Sequence, residues 1–204
     1  MTDKILSHTD NREPVVFTQK ELGWLPWLEP LSADELTDRH WAGLVDPSRA
    51  KSPYFLLLAR DPEVLEARTK TDKDIFYNVG NGLPRSEREL SATAASRFNG
   101  CIFCASVHSR FATVHSKRGD DIQRLLDKGI DVDIDDRWNA IIETSTALTT
   151  IPLDFGDAHI DTLRQAGLSD LEIVDVINGA AFFNWANRLM LSLGEPTPPA
   201  KPAT

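Results

Sequence analysis

Apolar positions in this chain recur mostly at three- and four-residue spacings, and strict alternation is scarce. The pattern therefore predicts helices and few strands. Residues 32–45, SADELTDRHWAGLV, read as a helix with Ser32 as N-cap and Glu35 as its capping-box partner. Pro53 opens the next helix, YFLLLAR, at its first position, and Asp61 with Pro62 does the same for residues 61–78. After the turn cluster NVGNGLP comes RSERELSATAASRF (85–98), which Asn99-Gly100 ends with a left-handed stop. The chain restarts at Cys101 and runs helically to about Arg118. Further helices are predicted over residues 120–129, closed by Gly129, over 135–150 and over 156–167. The longest covers 169–194, capped by Ser169 with Glu172 and closed by Gly194. IDVDID (130–135) is the one short strand candidate, so the fold class is all-α.

The organisation follows from the same pattern. Residues 1–48 form an N-terminal extension, partly helical, whose first 16 or so residues look disordered or loosely attached. Residues 49–195 form a helical domain, and 196–204 are a proline-rich tail expected to be extended. The 169–194 helix is apolar nearly all round, which predicts burial on every side. It is either the central helix of a monomer or partly covered by a second subunit. A shift of 83 residues sets Glu172 opposite Glu89, and Asn184 and Asn187 opposite Cys101 and Cys104. Such an echo would fit a duplicated helical unit of which one copy carries thiols.

Composition narrows the partners. The chain has 204 residues, 41% hydrophobic and 26% charged, with a net charge of −9. That describes a globular chain whose core needs no disulfide staples, and it argues against nucleic acid or an anionic membrane as a partner. The N-terminus lacks the uninterrupted apolar stretch of a signal peptide. The most apolar segment carries Asp175, Asn178, Asn184, Asn187 and Arg188, which argues against a membrane span. The expected location is cytoplasmic, where thiols stay reduced unless they are catalytic, sensing or metal-bound.

Against that background the two cysteines, the only ones in the chain, stand out in NGCIFCASVH (99–108). A helix start at Cys101 offers free N–H groups and a dipole that favour thiolate. Cys104 lies one turn on, within reach of a disulfide, and His108 one turn beyond that, able to exchange a proton with the thiol. His115 extends the series to C-x2-C-x3-H-x6-H. On one continuous helix His108 and His115 stand about 10.5 Å apart along the axis. Bonds of about 2.0–2.3 Å do not let one zinc ion reach both. His115 reads as a surface or packing residue, and a redox pair is favoured over two small core cysteines. Glu89, twelve residues before Cys101, has two readings. An antiparallel helix pair would bring it beside His108 to orient the imidazole, while Ser86-x-x-Glu89 would make it a capping-box residue.

Together, ERELSATAASRFNGCIFCASVH resembles the core motif of the AhpD-like alkylhydroperoxidases in the carboxymuconolactone decarboxylase superfamily: Glu, eleven residues, Cys-x-x-Cys, three residues, His. SPYFLLLARDPEVLEA before it and FFNWANRLMLSLGEP after it resemble the longer peroxidase-related members, over about residues 50–195. The resemblance implies an AhpD-like helical fold, homo-oligomers, and peroxide reduction that needs no metal, haem or other cofactor. It implies Cys104 as the peroxidatic thiol, Cys101 as the resolving thiol, and Glu89 with His108 as the proton relay. The implied substrate is a hydroperoxide, and the implied reductant is a dithiol donor such as a lipoyl group or a thioredoxin-like protein. Phe103 stands where the best-studied member of the family carries a further histidine. Two other readings remain: a lactone decarboxylase-like acid–base enzyme, and a non-enzymatic thiol redox sensor.

Overall fold

A computed structural model of the protein describes residues 5–78 and 80–199. Helices dominate it, as the spacing predicts. They are α1 (Asp38–Leu44), α2 (Pro53–Leu58), α3 (Pro62–Tyr77), α4 (Arg85–Phe98), α5 (Ile102–Ser116), α6 (Gly119–Lys128), α7 (Asp136–Ala147), α8 (Asp157–Gln165) and α9 (Asp170–Leu193). Pro53 and Pro62 occupy first-turn positions, and the Asp61 side chain accepts from the Val64 amide. Ser169 and Glu172 form the capping box that opens α9.

Several boundaries differ from the sequence pattern, each for a local reason. The 32–45 segment is two pieces. Ser32 and Glu35 do form a box, but it caps a single 3-10 turn (Ala33–Glu35). The chain then extends through Leu36 and Thr37, and Thr37 starts α1 with His40 as its reciprocal partner. IDVDID is not a strand: its start is a 3-10 turn (Gly129–Asp131), and Asp135 is spent capping α7 through the Trp138 amide. The strands lie elsewhere. β1 (Gly23–Pro26) pairs antiparallel with β2 (Gly194–Thr197), so the start of the proline-rich tail is a strand. The stretch before β1 is also tied down. The Leu6 amide donates to the Trp27 carbonyl at 2.9 Å, and the Asn11 side-chain amide donates to Glu195 at 2.8 Å. Residues 1–4 and 200–204 lie outside the described residues.

The most buried helix is α4, not α9. Every residue of α4 from 87 to 96 is buried. Its small residues Ser91, Ala92, Ala94, Ala95 and Ser96 let α5, α7 and α9 pack closely around it. At one crossing Gly179 of α9 faces Ser91, with no room for a side chain between them. In α9 the exposed positions fall at 170, 171, 174, 178, 181, 185, 188, 191 and 192, most of them along one stripe that includes Leu171, Val174, Ala181 and Trp185. Its other face fills the core with Ile173, Val176, Ala180, Phe183 and Met190. The 83-residue echo sets the α4–turn–α5 unit against this one continuous helix, so it marks no structural repeat.

The charged first turn of α4 is fully paired inside the protein. Glu87 accepts from Arg137 of α7, which also reaches Glu172 of α9, both at 2.8 Å. Hydrogen bonding to Glu87 holds the Arg137 guanidinium above its ordinary pKa, against the opposing effect of burial. Arg88 pairs with Asp175 of α9 at 2.7 Å and donates to the carbonyls of Leu83, Ile75 and Asn81. Asp175 in turn accepts from the Leu83 amide. Removing one member of a buried pair typically costs about 3–5 kcal/mol, because the other is left uncompensated. Asp175→Ala should therefore lower the unfolding free energy by about 3 kcal/mol or more, read by urea denaturation.

Candidate functional site

The site begins with the end of α4. Asn99 is the last helical-type residue, and Gly100 turns left-handed with φ +78°. The Cys101 amide donates back to the Ser96 carbonyl at 3.0 Å and the Gly100 amide to the Arg97 carbonyl at 3.4 Å. This double closure is a Schellman motif, and it explains why Asn-Gly stands before the first cysteine. Two asparagines of α9 brace the turn. Asn184 accepts from the Asn99 side chain and Asn187 from Ser96, both at 3.0 Å.

Cys101 is the N-cap of α5 and Cys104 lies in its first turn. They are joined by a disulfide with their Cα atoms 5.4 Å apart. The helix continues unbroken through His108 to Ser116, and His115 is exposed in its last turn. His108 is buried against Phe183, with ring centroids 4.0 Å apart, and against Phe76 at 5.3 Å.

The antiparallel packing of α4 and α5 brings Glu89 to His108. Glu89 is 1% exposed, and its Oε2 accepts from His108 Nδ1 at 2.5 Å. With Nδ1 committed to the carboxylate, Nε2 is the ring nitrogen left for proton exchange. The capping-box reading of Glu89 does not hold. α4 starts at Arg85 behind Pro84, and the second Glu89 oxygen accepts from Arg85 Nε at 2.6 Å. Arg85 is a member of the site that sequence reasoning missed. The available signal was its position, four residues before Glu89 on one helix face. Its guanidinium also lies over the Tyr77 ring, 4.1 Å from the centroid.

Cys104, His108, Glu89 and Arg85 line one cavity of about 330 Å³. Phe55, Phe76, Phe103 and Phe183 supply much of its wall, and Arg49, Arg68 and Asp72 line it too. Cys101 instead borders a separate cleft of about 60 Å³ beside Trp24 of β1 and Pro196 of β2. Phe103 and Met190 line both spaces and so stand between them. Phe103 is thus part of a hydrophobic wall. Among the described residues no group of three or more His, Cys, Asp or Glu side chains is arranged to hold a metal ion. No helix among them is long and apolar enough to cross a membrane.

The sequence profile of the Carboxymuconolactone decarboxylase family matches residues 62–143, which includes Glu89, both cysteines and His108. No curated protein matches the chain in sequence. Among solved structures, a peroxidase-related protein with an alkylhydroperoxidase AhpD core from Ralstonia eutropha is similar at a TM-score of 0.69 and 21% identity, covering 95% of each chain. A peroxidase-related protein from Silicibacter sp. is similar at 0.68 and 23% identity, covering 83% of this chain and 92% of that one. The debrominase Bmp8 is similar at 0.65 and 17% identity, covering 80% and 88%. At these identities the likeness establishes a shared AhpD-like helical fold.

Proposed function

We propose that this chain, whose residues 62–143 match the Carboxymuconolactone decarboxylase family profile and whose fold is AhpD-like, is a thiol peroxidase that reduces organic hydroperoxides through Cys101 and Cys104. The observation that carries this reading is the buried Glu89–His108 pair one helical turn from Cys104, on the wall of a cavity lined largely by aromatic side chains. In the reduced protein His108 Nε2 takes the Cys104 proton, and the Glu89 carboxylate favours the imidazolium that forms. The thiolate attacks the terminal peroxide oxygen and the O–O bond breaks. Cys104 becomes a sulfenic acid, and the alkoxide leaves as the alcohol with the proton that His108 returns. Cys101 then attacks the sulfenic sulfur, giving the disulfide and water. A dithiol donor, lipoyl or thioredoxin-like, reduces the disulfide by two exchange steps and leaves as its own disulfide.

A cytoplasmic location and a homo-oligomer belong to the same reading. The exposed stripe of α9 repeats at the three- and four-residue spacing with which one helix seats against another, and a second copy of this chain would cover it. The family profile also leaves room for an acid–base decarboxylase, which would not need the thiols. A double Cys→Ser variant that keeps all activity would favour it.

Thiol titration before and after one equivalent of cumene hydroperoxide should show the loss of two thiols per chain. In Cys101→Ser a sulfenic acid should persist at Cys104 and react with a dimedone-type probe. Label found chiefly on Cys101 in Cys104→Ser would reverse the assignment. Glu89→Gln should slow Cys104 oxidation in stopped flow by at least about tenfold, given that acid–base assistance is worth roughly 10²–10⁴. Melting is measured alongside, because the change also leaves Arg85 without its carboxylate. A lower melting temperature with an unchanged oxidation rate would make Glu89 purely structural. Sedimentation should show an oligomer, and Trp185→Glu should shift it toward monomer.

A further inference from the structure

The cavity at Cys104 is electrostatically unbalanced in a way the peroxidase reading does not use. Three cations line it, Arg49, Arg68 and Arg85, against two anions, Asp72 and Glu89. Glu89 is matched by Arg85, so Asp72 alone faces both Arg49 and Arg68. This excess positive charge sits in a chain whose net charge is −9.

Arg68 carries the excess. Its side chain is 9% exposed. Its Nε and Nη1 are buried and have no hydrogen-bond partner among the described residues. Asp72 Oδ2 lies 3.4 Å from Nη1, close enough for charge attraction but outside hydrogen-bond geometry. The buried Tyr54 hydroxyl is also near enough to feel the guanidinium, which opposes the burial that raises its pKa, yet it satisfies neither nitrogen. The rest of the surroundings are aromatic: Arg68 lies 5.6 Å from the Phe55 centroid and 5.5 Å from that of Phe182. Arg49 differs, because its Nη1 donates to Thr69 at 2.8 Å. A buried guanidinium with unspent donors is costly unless something accepts from it. One surplus positive charge above aromatic walls suits a monoanion with an apolar body.

We propose that Arg68, with Arg49 beside it, binds the carboxylate of a small organic hydroperoxide whose –OOH end reaches Cys104. The substrate class is then a carboxylated aryl or alkyl hydroperoxide. Phe55 and Phe76 pack its apolar body, and the acid group orients the peroxide toward the thiolate. The hydroperoxide part rests on the peroxidase reading above; the anion site does not.

Two arms of one experiment separate them. In the first, calorimetric titration of the protein compares 4-isopropylbenzoate with the neutral isostere 4-isopropylbenzamide. The carboxylate should bind at least about tenfold tighter, the usual scale of a charge-assisted hydrogen bond. Arg68→Met should bring the ratio close to one, and Arg68→Lys should restore part of it. Equal binding of the two probes by the wild-type protein overturns the anion site, and that comparison needs no variant to fold. In the second arm, stopped flow compares Cys104 oxidation by 4-carboxycumyl hydroperoxide and by cumene hydroperoxide. The acid should react at least about tenfold faster at limiting concentration. Equal rates overturn the substrate assignment. If neither peroxide oxidises Cys104 while the carboxylate probe still binds selectively, the peroxidase reading fails and the anion site stands.

Discussion

Three consecutive charged residues inside one helix hold this molecule in register. Successive helical positions point about 100° apart, so Glu87, Arg88 and Glu89 of α4 face three different neighbours. Glu87 meets Arg137 of α7, Arg88 meets Asp175 of α9, and Glu89 meets His108 of α5. Buried charges persist only when paired and hydrogen-bonded. A slide or rotation of α4 would break all three pairs at once. The carboxylate that faces His108 is therefore fixed by contacts made on two other sides of the same helical turn. The small residues that follow, from Ser91 to Ser96, let the neighbouring helices approach closely enough for those contacts to form.

That arrangement explains why α4 and α9 exchange the roles that hydrophobicity assigns them. Hydropathy reads side chains singly. It counts Glu87, Arg88 and Glu89 as solvent-facing and the Leu, Val, Ile and Phe residues of α9 as core. The structure turns on pairing. Once the charges of α4 are paired by Arg137, Asp175 and His108 of its neighbours, the helix is surrounded on all sides, and α9 needs to cover it with one face alone. The helix starts marked by Pro53, Pro62, Ser169 and the Asn99-Gly100 stop were legible because each acts within a few residues of itself. The β1–β2 pairing was not, because it joins residues some 170 positions apart across Gly23 and Thr197, and neither segment alternates.

The candidate site was legible to a different degree at each shell. Cys101, Cys104 and His108 share one helix, so their spacing fixes their geometry once the helix is granted. Glu89 depends on how two helices pack, and local spacing alone left a capping box equally open. The box is excluded by where α4 begins. With Pro84 at the N-cap position, Ser86 is already inside the helix and has no free helix end to close. Arg85 and Arg68 were not found from the sequence. Each is one arginine among many in a chain rich in charge, and only the fold turns them toward the cavity.

The two sulfurs are served by different physical devices. Cys101 occupies the N-cap of α5, where the unpaired amides of the first turn and the helix dipole favour negative charge on its side chain. Its own amide is spent closing the α4 stop on Ser96, so the backbone there is fixed. Cys104 lies inside the first turn, and its distinguishing neighbour is the imidazole one turn further along. Phe103 and Met190 stand between the spaces the two cysteines border. In a peroxidase cycle the halves make unlike demands. The attack on peroxide needs a base beside the sulfur and a pocket for an organic body. Exchange with a dithiol needs one sulfur within reach of the incoming thiolate and the other stabilised as it leaves. On the proposed peroxidase reading, the aromatic cavity and the Glu89–His108 pair would meet the first demand at Cys104. Cys101, 1% exposed, would on the same reading be the sulfur that the helix N-terminus stabilises as the leaving thiolate, with Phe103 and Met190 standing between its cleft and the cavity at Cys104.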